Sequence, residues 1–155
     1  MTRKLSRAAV DVWARLIRAE HALLEAVEAD LKAAGLPPLV WYDVALELAR
    51  APNGRLRHRD LNARVLLAKY NLSRLIDRMV EAGLVARLPV AEDARGAYIA
   101  ITEAGRRLQK RVWPVYGRSI ARHFVARLDE RDLTELDRIL AKLRAAAPQG
   151  CRHSL

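Results

Sequence analysis

The chain has 155 residues, 52% of them hydrophobic, with a formal net charge of +10 and a single cysteine. That is enough chain to bury a real core, which argues against disorder. Charges recur too often to leave the roughly 18–20 apolar residues of a membrane span, and one thiol excludes a disulfide framework. The opening MTRKLSRAAVDVWARL has basic residues but no apolar region running into a small-residue cleavage site, so no signal peptide is expected. With the lone Cys151, the expected setting is a reducing cytoplasm and no membrane. The positive charge is concentrated. Residues 50–111 hold 14 Lys or Arg against 6 Asp or Glu, net +8, leaving only +2 for the other 93 residues. A uniformly solubilising surface would spread that excess, so the middle of the chain reads as a local anion-binding module.

In chain order, residues 5–34 lack Gly and Pro and place Val10, Trp13, Ile17, Leu24, Val27 and Leu31 in alternating steps of three and four. The spacing predicts a long helix. A second apolar row, Val12, Leu16 and Leu23, makes its stripe wider than one packing partner requires, which points to a partner chain. GLPPL at 35–39 stops this helix, and Trp41, Val44, Ala45 and Leu48 mark a shorter one that closes near the turn APNG at 51–54.

Two helices follow, at about 58–65 and 69–82, and a short connection between them suggests helix-turn-helix. In the second, Leu72, Leu75, Ile76 and Met79 share one face at i, i+3, i+4 and i+7, while Lys69, Tyr70, Ser73, Arg74, Asp77 and Arg78 lie on the other, with Gly83 as the stop. LVARLP and AYIAIT read as the two strands of a hairpin around a long polar tip, VAEDARG at 90–96. Thr102 caps a helix running to about Ala126 with Pro114 as a possible kink, and Asp129 caps a last helix whose Leu133, Leu136, Ile139, Leu140 and Leu143 form one stripe.

The expected fold class is therefore mainly α with a small two- or three-stranded β wing: a winged helix-turn-helix at 38–102, a helical dimerisation region from 1–34 and 103–147, and a tail at 148–155. In such an arrangement a recognition helix enters the major groove with its first residues nearest the base edges, and the wing reaches the neighbouring backbone or minor groove. Candidate DNA-binding residues are Lys69, Tyr70, Asn71, Ser73, Arg74 and Arg78 on that helix, with Arg57 and Arg59 ahead of it as phosphate contacts and Asp93 and Arg95 in the wing. Arg74 is long enough to reach guanine, and Asn71 has the donor–acceptor pair for adenine.

The stretch LSRLIDRMVEAGLVARLPVAEDARGAYIAITEAG (72–105) resembles the MarR (multiple antibiotic resistance regulator) family of winged-helix transcription regulators. The resemblance covers most of the chain and rests on Gly83-Leu84-Val85 leading into the wing, on Asp93 and Arg95, and on Ile101, Thr102 and Gly105 leaving it. Ala94 stands where relatives commonly carry a second arginine, and Ile101 where they carry leucine. The resemblance implies a minor-groove arginine in Arg95 steadied by Asp93, a homodimer built from the terminal helices, and a double-stranded operator as partner. It also implies a small aromatic effector in some members, for which Trp13, His21, Trp41, Tyr42, Trp113 and Tyr116 are the candidate residues; ordinary junction packing is the competing reading of that set.

Other classes fare worse. His58 and Asp60 are close, yet no nucleophile elbow or phosphate loop accompanies them, so no enzyme is expected. His21, His58 and His123 are scattered and Cys151 with His153 offers two ligands only, so neither metal nor cofactor is expected. No strand displays the paired aromatics of an RNA-binding sheet. The expected function is a ligand-responsive repressor acting as a homodimer on a pseudo-palindromic operator, with a winged-helix protein adaptor, or an architectural DNA binder without effector control, as the alternative.

Overall fold

The structure, a computed structural model, describes residues 4–67, 71–91 and 93–145, with the backbone alone described at 93–95 and 145. Helices α1 (Arg7–Ala33) and α2 (Leu39–Arg50) lead through a 3-10 turn at Pro52–Gly54 into strand β1 (Arg55–Arg57). Helices α3 (His58–Arg64) and α4 (Leu72–Glu81), strands β2 (Val85–Val90) and β3 (Asp93–Ile101), and helices α5 (Glu103–His123) and α6 (Glu130–Ala145) complete the chain. The strands form one antiparallel sheet in the order β1-β3-β2.

The helix ends follow the local chemistry. Ser6 Oγ accepts the Ala9 N–H at 3.2 Å at the start of α1, and Thr102 Oγ1 accepts the Gly105 N–H at 3.1 Å at the start of α5. Asp129 and Asp132 cap α6 reciprocally, each carboxylate taking the other's backbone N–H at 2.8 and 3.1 Å. Gly83 takes φ +72° after α4, so that Leu84 N–H reaches Met79 O and Gly83 N–H reaches Val80 O, both at 2.9 Å. Helix α5 runs on through Pro114 as far as His123, and a 3-10 turn at Val125–Arg127 follows.

Two cores share α2. The first packs Val44 and Leu48 of that helix with Leu61, Val65, the apolar face of α4, and Leu56, Val85 and Ile99 of the sheet. The second packs Leu39 and Tyr42 with Val27 and Leu31 of α1 and Leu108 and Val112 of α5. Trp41 touches both. The stripe expected along α1 is thus divided: its C-terminal end is core, whereas Val10, Val12, Trp13, Leu16 and Ile17 are exposed. None of the described side chains of α6 is buried, and Ile139, Leu140 and Leu143 face solvent.

The sheet has three strands, within the expected two or three; the third, β1, carries no alternating pattern of its own, because a three-residue strand with one buried residue, Leu56, has no room for one. One feature of the wing differs from the sequence expectation. The polar tip is shorter than 90–96, because β3 already starts at Asp93. Pairing runs evenly from Val85↔Ile101 to Pro89↔Ala97 and then jumps to Val90↔Asp93, leaving 94–96 as extra residues on the β3 side. Pro89 has no N–H to donate to the ladder, so the register breaks beside it.

A polar cluster fastens α1 to α5. Asp30 accepts from Ser119 Oγ at 2.7 Å, Arg122 at 2.6 Å and His123 Nε2 at 3.0 Å. The Ser119 hydrogen bond, with His123 and Arg122 behind it, holds the Asp30 carboxyl below its ordinary value against the opposing effect of burial. A depressed carboxyl contributes stability above its unfolded value near pH 4 and loses it as pH falls through the lower folded value. Asp30→Asn should therefore lower the melting temperature at pH 7 and shrink the difference in melting temperature between pH 7 and acid; an unchanged acid limb would contradict the assignment. Gly105 has a different function: a Cβ there would lie 2.2 Å from the Leu84 carbonyl oxygen and 2.8 Å from Ile101 Cγ1. Gly105→Ala should cost about 1–3 kcal/mol in urea denaturation, since backbone must move to admit the methyl group.

Candidate nucleic-acid interface

The interface is built on α4. Leu72, Leu75, Ile76 and Met79 are each at most 5% exposed, and burying side chains of that size stabilises by about 1.5–3 kcal/mol apiece. Rolling the helix would forfeit that burial, so its opposite face is fixed as well. It presents Ser73, Arg74, Asp77 and Arg78 to solvent, with Asn71 exposed just ahead of the first turn.

These polar residues do not all stay available. Ser73 Oγ lies 3.2 Å from His58 Nε2, joining the first turn of α4 to the start of α3. Arg87 on β2 donates to Asp77 Oδ1 at 2.6 Å, which braces the recognition helix against the wing and neutralises its one acidic outward residue within 71–80. Arg74 and Arg78 are exposed and make no ion pair among the described residues. The Arg59 side chain is 90% exposed at the start of α3, with only a long 3.7 Å contact to Asp60. Arg57 is half-buried, its guanidinium 5.5 Å from the centre of the Tyr98 ring, and Arg55 lies 4.7 Å from the same ring. Tyr98 thereby gathers two cations on the outer face of the sheet. Lys69 and Tyr70 lie outside the described residues, and of Asp93 and Arg95 only the backbone is placed, in β3 beside the register break.

Sequence reasoning passed over Asp43. It is 5% exposed on α2, and its Oδ2 accepts the backbone N–H of Leu66 at 2.6 Å and of Leu67 at 3.0 Å, in the segment between α3 and α4. The signal was present as an acidic residue inside the apolar run LVWYDVAL. Arg87 was equally unmarked, because its partner is ten residues away on another element.

The six candidate effector residues divide. Tyr42 stacks with Trp113 at 6.5 Å and meets Tyr116 edge-on at 5.4 Å, while Trp113 and Tyr116 meet edge-on at 6.1 Å. Trp41 packs against the core that holds Tyr42, and burial raises the hydroxyl pKa of Tyr42 and Tyr116. Trp113 remains half exposed. Trp13 and His21 stand apart on the exposed part of α1, where His21 Nδ1 bonds Ile17 O at 2.8 Å; Trp13 is about 21 Å along the helix from Val27. A groove of about 730 Å³ between α1 and α5 is lined by small and apolar residues such as Ala33, Ala34 and Val115 and by Asp30, Ser119 and Arg122, and includes none of the six. Among the described residues no group of acidic, His or Cys side chains has the geometry of a metal site, and no helix is long and apolar enough to cross a membrane.

A short helix pair with a braced, cation-bearing second helix and an adjoining β-hairpin defines a winged helix-turn-helix protein of the DNA-binding class. Residues 34–96 match the sequence model of the MarR family. Over 93% of this chain and 97% of the other, the fold follows AbsC, a MarR family transcriptional regulator from Streptomyces coelicolor, with 32% identity and a TM-score of 0.80. Sco3205, a MarR family transcriptional regulator from the same organism whose structure is in complex with DNA, superposes with a TM-score of 0.83 at 24% identity over 97% and 95% of the two chains. The HTH-type transcriptional regulator FarR of Neisseria gonorrhoeae is 30% identical over 97 residues, which span 63% of this chain and 64% of that protein. The chain belongs to the MarR family: it is a DNA-binding transcription regulator and not an enzyme.

Proposed function

We propose that the protein is a homodimeric repressor of a pseudo-palindromic operator, released by a small aromatic effector. The observation that carries the DNA half of this reading is the orientation of α4: four buried apolar side chains fix the helix so that Arg74 and Arg78 project outward beside the wing. In the complex, Arg74 and Asn71 read base edges, Lys69, Tyr70, Ser73, Arg78, Arg57 and Arg59 hold phosphates, and Arg95 with Asp93 serves the minor groove.

Dimerisation is supported by what one chain leaves uncovered. The apolar residues exposed along the first half of α1 and along α6 belong to the two ends of the sequence, 1–34 and 103–147, which we assign as the dimerisation region flanking the winged unit at 38–102. The tail at 148–155 lies outside that assignment. The aromatic group of Tyr42, Trp113 and Tyr116, with Trp41 against the same core, supports effector binding at the junction, since α2 and α5 meet there. An effector acts by favouring a dimer whose recognition helices are misspaced for two half-sites, so its differential affinity sets the response.

Arg74→Ala should cost about 1–3 kcal/mol on operator and much less on random duplex, whereas Arg59→Ala should weaken both alike and reduce the salt slope by about 0.9. Equal losses for Arg74→Ala on the two duplexes would reassign it to the backbone. Arg95→Ala should abolish most operator affinity with folding intact, and Arg95→Lys should restore part of it, because the ammonium keeps charge without the planar fork. The double change Leu140→Glu and Leu143→Glu should give a folded monomer in sedimentation; a dimer of undiminished affinity would exclude α6 from the interface.

A further inference from the structure

The lead-in to the recognition helix depends on a residue that is not on it. The α3 helix ends at Arg64, Val65 N–H closes its last turn on Leu61 O at 3.0 Å, and the chain must then turn toward α4. Just past that point the N–H groups of Leu66 and Leu67 both point at one oxygen of Asp43, at 2.6 and 3.0 Å. The carboxylate comes from α2, more than twenty residues earlier, and is 5% exposed. Charge-assisted hydrogen bonds in such a setting are short and strong, and a buried carboxylate deprived of them would face a large desolvation penalty. The segment is held by this group more than by its side chains, since Leu66 and Leu67 are themselves exposed.

The same helix that supplies Asp43 supplies Tyr42 to the aromatic group on α5. Successive residues on a helix point about 100° apart, so α2 grips the α5 junction with one side chain and the α3–α4 connection with the next. Trp41, the residue before, packs on both cores. Leu66 and Leu67, ahead of the recognition helix, are therefore tied to α2.

We propose that Asp43 is a positioning residue for operator recognition: it fixes Leu66 and Leu67, ahead of α4, to α2, and specificity for base sequence, more than general attraction to DNA, depends on that clamp. The inference rests on the DNA-binding reading above and adds to it a residue that touches no DNA. Sliding or fraying of the α3–α4 connection displaces Asn71 and Arg74 from base edges first, because they stand at the start of the helix, while exposed cations such as Arg59 continue to attract phosphate. Base contacts tolerate far less displacement than charge attraction does, so the two should separate when the clamp is cut.

The test uses full-length dimer and two probes, a duplex recovered by selection from a randomised library and a scrambled duplex of equal length. Asp43→Ala, Asp43→Asn and Val44→Ala are compared; Val44 is the fully buried neighbour on α2 and reports what core damage alone does. Asp43→Ala should lower affinity for the selected duplex at least about tenfold while the scrambled duplex loses little, and amide exchange at Leu66 and Leu67 should accelerate beyond that of the α4 core. Asp43→Asn keeps a carbonyl oxygen able to accept both N–H groups, so it should recover part of the selectivity. Val44→Ala should lower the melting temperature and leave the ratio of the two affinities near that of the parent. Undiminished selectivity in Asp43→Ala, or the same loss of selectivity in Val44→Ala, would overturn the proposal while leaving the DNA-binding reading in place. A parent protein that cannot distinguish the two duplexes would instead overturn the DNA reading and the proposal with it. If Asp43→Ala does not fold, selectivity and exchange at Leu66 and Leu67 in Asp43→Asn decide: parent values in both overturn the proposal.

Discussion

The burial of Leu72, Leu75, Ile76 and Met79 is the constraint on which the rest of the molecule depends. A ten-residue helix has little stability of its own in water, so α4 exists because its apolar face is taken up by α2, α3 and the sheet. That one contact decides two things together. It forms the centre of the winged unit, and it determines which side chains the helix can offer outward. The Gly83 turn and the Asp77–Arg87 ion pair then set where the wing begins beside the recognition helix.

The second organising element is α2. It is the only helix with buried side chains in both cores among the described residues, and Trp41 lies where they meet. It links the α1–α5 arm to the recognition helix, beside the direct contact of the start of α5 with the Gly83 turn, where Thr102 Oγ1 donates to Gly83 O at 2.7 Å. In the effector response proposed above, a ligand at the aromatic junction would need only to stabilise one attitude of α2 over another. Asp30 has a complementary role on the arm, since its contacts with Ser119, Arg122 and His123 resist sliding of α1 along α5.

Much of this was legible in the sequence. The periodicity of 72–79 marked its buried face, and Thr102, Asp129 and Gly83 marked helix ends through hydrogen bonds that are local by nature. The family resemblance likewise rested on a contiguous stretch. What the sequence hid is what long-range packing decides. Asp43 meets Leu66 across more than twenty residues, Asp77 meets Arg87 across two elements, and β1 is a strand only because β3 is beside it. The aromatic set shows the same division: Tyr42, Trp113 and Tyr116 converge because α2 packs on α5, while Trp13 and His21 lie on a part of α1 that the chain does not cover. The break at Pro89 had a local cause, but its effect on pairing at 93–96 could be seen only once the partner strand was in place.

The central claim is that two copies of this chain read two half-sites through α4. It is tested most directly by titrating the selected duplex against the same duplex with one half scrambled, with the number of protomers bound measured by sedimentation at fixed salt. The account predicts two protomers on the intact duplex and a loss of at least about tenfold when one half is scrambled, since each lost base contact costs about 1–3 kcal/mol. Equal affinity for the two duplexes, or saturation at a single protomer, would contradict it.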